Sequence, residues 1–93
     1  MSTVIRWTSK ALDDLARLHA FLESVDPWAA ARTVQRLTAG VRVLGENPKL
    51  GVSVSGFEPR EVRRLIVGNY EVRYELTEGG AVILRLWHTR EDR

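Results

Sequence analysis

The spacing of hydrophobic and polar positions changes along this chain, from steps of three and four in the first half to near alternation in the last third. Val4, Ile5 and Trp7 form a short apolar run that stops at Thr8 and Ser9, both suited to cap a helix. From Lys10 to about Ser24 the apolar residues Leu12, Leu15, Ala16, Leu18, Leu22 and Val25 recur at helical spacing, with Lys10, Asp13, Arg17 and Ser24 on the opposite side. The spacing predicts an amphipathic helix with a wide apolar face. Asp26 and Pro27 then read as an N-cap followed by proline in the first turn. Ala30, Val34, Leu37, Val41 and Leu44 carry a second helix until Gly45, Asn47 and Pro48 stop it. So short a connection predicts an antiparallel helical hairpin.

Residues 47–59, NPKLGVSVSGFEP, read as a mobile loop in which VSVS can make a brief strand. Three strand patterns follow, over 62–67, 70–76 and 82–87, joined by Gly68-Asn69 and Glu78-Gly79-Gly80 as hairpin turns. Tyr70, Val72, Tyr74 and Leu76 alternate with Glu71, Arg73 and Glu75, so one face packs on the helices and the other meets solvent or a partner. The last strand alternates less cleanly. The order is β-α-α-β-β-β, an α+β fold with the helical hairpin packed on a small antiparallel sheet of four strands.

Composition narrows the classes of function. The 93 residues fit one domain, 1–93, and 44% hydrophobic with 28% charged is ordinary for a globular chain. No apolar run is long enough for a membrane span and no leader pattern opens the chain, which implies a soluble cytoplasmic protein without a membrane partner. With no cysteine, and with histidine only at His19 and His88, neither a metal site nor a cofactor is expected. The net charge of +2 conceals a bias in kind: of the 14 basic side chains 12 are Arg, whose planar fork suits carboxylates, phosphates and aromatic faces.

Four stretches in this order, DLARLHAFL (14–22), ENPKLG (46–51), RRLIVGNYEVRYEL (63–76) and VILRLWHTRED (82–92), resemble the RelE/ParE superfamily of toxins from type II toxin–antitoxin pairs. NP-x-x-G after the hairpin, GNY-x-V-x-Y in the central strand and the W/H-x-R tail are similar to the ParE-type branch. That resemblance implies a protein held inactive in a hetero-oligomer with a cognate antitoxin, which poisons DNA gyrase when freed. The RelE-type branch instead cuts messenger RNA on the ribosome, a reaction that needs a base, an acid and cationic stabilisation of the phosphorane. The lysine-rich form of that site is absent, since only Lys49 follows the hairpin and the tail has no Tyr. A form built from Glu58, Arg64 or Arg73, and His88 stays open.

Under the ParE-like reading the candidate target-binding residues are Arg64, Arg73, His88 and Arg90, and no residue is assigned a catalytic role. Arg63 and Arg64 point to opposite faces of one strand; Arg64 is preferred because the family pattern turns Leu65 and Val67 inward. His88, at the sheet's edge, reads either as a binding or solvated residue or as the acid–base group of the alternative. The resemblance implies Leu12, Leu15, His19 and Leu22 as the candidate antitoxin-binding residues, on a helix face wider than one sheet covers; the alternative is that the second helix alone hides that face. His19 there is a structural histidine or an antitoxin contact. Trp7 and Trp87 read as core or rim packing and Trp28 as a brace for the hairpin turn.

Overall fold

The computed structural model describes residues 3–90. Strand β1 (Ile5–Trp7) leads into α1 (Ser9–Val25) and α2 (Pro27–Arg42), then a single 3-10 turn (Val43–Gly45), and then β2 (Val52–Ser53), β3 (Glu61–Val67), β4 (Tyr70–Thr77) and β5 (Gly80–His88). Of the two capping candidates, Thr8 is the N-cap of α1. Its hydroxyl accepts from Ala11 N–H at 3.0 Å and donates to the Leu84 carbonyl at 2.9 Å, which ties the helix start to β5. Asp26 ends one helix and begins the next: its N–H donates to the Leu22 carbonyl, while its carboxylate accepts from Trp28 and Ala29 N–H. The hairpin therefore needs one linking residue. Trp28 does not brace it, because its side chain points to solvent and is 77% exposed.

The strands form one five-stranded sheet in the order β1-β5-β4-β3-β2. The β3-β4-β5 meander is antiparallel as expected, and Val52–Ser53 of the VSVS run adds a fifth strand antiparallel to β3. At the other edge β1 pairs parallel to β5, so the sheet is mixed rather than purely antiparallel. No hairpin turn joins β1 to its neighbour, and nothing local in the sequence sets its direction.

One face of the sheet is covered by the helices. Ala11, Leu18, Leu37, Val41 and Leu44 bury against Val72, Tyr74, Ala81, Ile83 and Leu86. The stretch after α2 is anchored rather than loose at its start. The Tyr74 hydroxyl, fully buried, donates to the Pro48 carbonyl at 2.7 Å and accepts from Gly51 N–H at 2.9 Å, while Arg63 donates to the Gly51 carbonyl at 2.7 Å. A Cβ at Gly51 would stand 2.6 Å from the Arg64 carbonyl and 2.7 Å from that hydroxyl. The glycine of the NP-x-x-G run is thus required by close packing.

Candidate functional site

Alternation along β3 and β4 sends Leu65, Val72 and Tyr74 toward the helices and Arg64, Glu71, Arg73 and Glu75 to the face that no helix covers. β5 does not keep strict alternation. Its pairing with β4 steps from Arg73↔Arg85 to Tyr74↔Ile83, which leaves Leu84 as one extra residue without a partner on β4. Such a bulge reverses the facing of every residue beyond it. Val82 lies on the uncovered face, opposite Glu75; His88, six positions on, lies opposite Tyr70 on the helix side.

Two consequences follow for the candidate residues. Arg85, which strict alternation would bury beside Ile83, is instead in register with Arg73, so Arg64, Arg73 and Arg85 form a cross-strand row over β3, β4 and β5. His88 is taken away from that row. Its Nδ1 accepts the Arg90 N–H at 3.0 Å, and its ring meets Tyr70 edge-on with centroids 5.1 Å apart.

Like charges directly opposite one another in a sheet repel, and the row manages this unequally. Arg85 turns to Asp14 of α1, donating to its carboxylate at 2.7 and 3.1 Å. Arg73 donates to the buried Glu71 at 2.7 Å and lies over the Trp87 ring, 5.0 Å from its centroid. Arg73 Nε is buried with no hydrogen-bond partner among the described residues. Arg64 makes no ion pair or side-chain hydrogen bond among the described residues and is exposed. With Arg73, Ser53 and Ser55 it borders a shallow cavity of about 200 Å³. That cavity can receive an anionic or hydrogen-bond-accepting group of a partner.

Glu58 stands in the β2–β3 connection. Its carboxylate accepts the Gly56 N–H at 2.9 Å, and hydrogen bonds from its own and the Gly56 backbone N–H hold its pKa below the usual carboxylate range. The lowered value favours its ionised form. The four residues of the ribonuclease alternative are therefore not one constellation: Arg64 and Arg73 share a face, Glu58 is engaged in its own turn, and His88 is across the sheet. Among the described residues no group of three His, Asp or Glu converges to hold a metal ion, and no helix is long and apolar enough to cross a membrane.

The antitoxin candidates fall on different sides of α1. Leu12, 52% exposed, and Leu15 border a groove of about 400 Å³ with Ile5, Trp7 and Val41. Leu22 borders a second groove, of about 520 Å³, with Phe21, Tyr70, His88 and Arg90. His19 belongs to neither and sits 3.6 Å from Glu23, one turn on. The closing run of the sequence extends to residues 91 and 92, which lie outside the described residues.

Asp14, which sequence reasoning placed only on the recognisable α1 run, joins the elements of both faces. It is buried, and besides Arg85 it accepts the Leu86 N–H at 3.0 Å, on the β5 edge beyond the end of β1. Burial alone would raise its pKa; the hydrogen bonds from Arg85 and Leu86 and the charges of Arg85 and Arg17 outweigh that and hold it below the ordinary carboxyl value. An acidic residue amid the apolar positions of the first helix was the available signal.

Comparison with known proteins sets this geometry in context. Residues 5–93 match the family model described as the ParE toxin of the type II toxin–antitoxin system, parDE. The chain is 35% identical over 95 residues to toxin RelE1 of Caulobacter vibrioides, with 100% of each chain covered. Over 47 residues it is 47% identical to Y4kP of Sinorhizobium fredii, a match spanning 50% of this chain and 49% of that relative. Among solved structures it is similar to the chromosomal ParDE toxin–antitoxin system from P. aeruginosa, with a TM-score of 0.78 and 22% identity over 94% of this chain and 96% of that one. At that identity the likeness concerns the fold.

Proposed function

This chain belongs to the ParE toxin family of type II toxin–antitoxin systems, and from that premise we propose that it poisons by binding rather than by catalysis, with DNA gyrase as target and a cognate antitoxin as its silencing partner in a hetero-oligomer. Arg64 and Arg73 are the proposed centre of the target-binding face. The reading rests chiefly on one observation: the uncovered face offers cations and hydroxyls at the Arg64–Arg73 cavity, while the histidine that would complete an acid–base set lies across the sheet. A surface that binds without reacting needs the former and not the latter.

The protein acts in the cytoplasm in this reading, where its target is found. The test sets two assays of the purified, antitoxin-free protein side by side. Loss of supercoiling by gyrase, with no new cleavage sites by primer extension on translated messages, is the expected outcome. Unchanged supercoiling at stoichiometric excess, with cuts that vanish in His88→Ala, would replace it with the ribosome-dependent ribonuclease.

A further inference from the structure

Charge is not spread evenly over this chain. Residues 27–45, which hold α2 and the 3-10 turn, contain three arginines and no Asp or Glu, so they carry +3 in a chain whose net charge is +2. Everything outside them nets −1. By contrast α1 mixes Lys10 and Arg17 with Asp13, Asp14 and Glu23. The cationic excess of the protein therefore sits on one helix.

The arginines lie on the outer side of α2 because its apolar residues Ala30, Leu37 and Val41 are buried inward. At about 3.6 residues per turn, Arg32, Arg36 and Arg42 fall with Trp28 and Ala39 inside an arc of about 120°. All five are exposed, and none of the three arginines makes an ion pair or a side-chain hydrogen bond among the described residues. The three extend over about 15 Å of helix axis. Arg36 also borders a cavity of about 150 Å³ with Thr33, Gly68 and Asn69, at the β3–β4 turn. A hydroxyl and an amide thus stand beside a guanidinium, a donor set suited to phosphate oxygens.

We infer that the outer face of α2 binds the phosphate backbone of a DNA duplex, with Arg32, Arg36 and Arg42 along it and Thr33 and Asn69 supporting the contact at Arg36. Charge complementarity selects this occupant. A duplex carries one negative charge per roughly 1.7 Å of axis, so a face about 15 Å long meets more phosphates than it has arginines. Each guanidinium fork can take two oxygens of one phosphate. A single strand is held by several stacking aromatics, and this face has only Trp28. An anionic bilayer takes up the apolar side of a helix, and that side of α2 is buried in the core. A protein partner needs an apolar centre, whereas these arginines enclose Gln35 and Ala39. The inference goes beyond the gyrase reading and does not need it, since the toxin binds DNA by itself. Because α2 packs on the covered side of the sheet, the Arg64–Arg73 cavity stays open to a second partner.

Fluorescence anisotropy of a labelled duplex of about 20 base pairs, titrated with the intact antitoxin-free toxin over a salt series, tests this. Wild-type protein is expected to bind with a dissociation constant of roughly 10⁻⁴–10⁻⁶ M and a log–log salt slope of about −2 to −3, near 0.9 for each phosphate contacted. Arg32→Gln with Arg36→Gln should reduce that slope by about 2 and weaken binding about tenfold or more at low salt. Arg6→Gln with Lys10→Gln removes the same charge from outside α2 and should leave the slope unchanged and the affinity within about threefold. Arg32→Lys with Arg36→Lys keeps the charge and should keep the slope. All four positions are exposed, and an unchanged melting temperature shows that the variants fold. No binding by the wild type, or equal losses in the two Gln pairs, overturns the inference while the gyrase reading stands. Binding to phosphatidylglycerol vesicles and not to the duplex overturns it as well.

Discussion

Arg64 and Arg73 face each other directly across β3 and β4, yet among the described residues only Arg73 of the two has a counter-charge, the buried Glu71 at 2.7 Å. Arg73 is further held over the Trp87 ring and has little freedom to rearrange. Arg64 is left pointing to solvent beside a fixed guanidinium that repels it. A like-charge pair in register costs stability in the free protein and becomes favourable when a partner supplies acceptors. Removing the charge at Arg64 should therefore separate stability from action.

Arg64→Gln is expected to leave the melting temperature unchanged or slightly raised, within about 0.5 kcal/mol of the parent as for other surface changes. Differential scanning calorimetry checks this, and a loss of several kcal/mol would show that Arg64 is structural.

Asp14 makes stability depend on acid. Its folded pKa is depressed, so its contribution is fully present above the unfolded carboxyl value, near pH 4, and is lost as pH falls through the lower folded value. Asp14→Asn should flatten the fall of the melting temperature below about pH 4 relative to the parent. Asp14→Ala should cost about 2–3 kcal/mol at neutral pH, mainly for the Leu86 N–H left without an acceptor and less for the half-exposed Arg85. Urea melts over a pH series measure both.

Tyr74→Phe removes the hydroxyl that holds both Pro48 and Gly51. A cost of about 1–3 kcal/mol is expected, with faster hydrogen exchange at Gly51 N–H. Gly51→Ala should be at least as damaging, because the added carbon has backbone 2.6 Å away.

Trp28→Ser should alter stability by no more than about 0.5 kcal/mol, since the ring is exposed and Asp26 caps the helix through backbone groups. A larger loss in thermal melts would restore the bracing role.

Much of this fold is legible in the sequence, and for physical reasons. Thr8 and Asp26 announce both helix starts, and the Tyr70-to-Leu76 alternation separates the two faces of β4 because one of them must be buried. The mixed character of the sheet was not legible, as no turn connects β1 to its parallel neighbour. The bulge decided the site. Read with strict alternation, Val82 and His88 share a face and the histidine joins Arg73; one extra residue at Leu84 sends it to the helix side and brings Arg85 out in its place. The broken alternation in LRLW signalled an irregularity, but its position depends on Thr8 and Asp14 engaging successive groups of the β5 edge, and those contacts span more than 70 residues.

Whether the uncovered face acts by contact is tested most directly by gyrase supercoiling measured against toxin concentration. Wild-type protein should inhibit at near-stoichiometric amounts, and Arg64→Glu, folded to the same melting temperature, should need about tenfold more or worse. Equal inhibition by the two proteins, or none by the wild type, would contradict it.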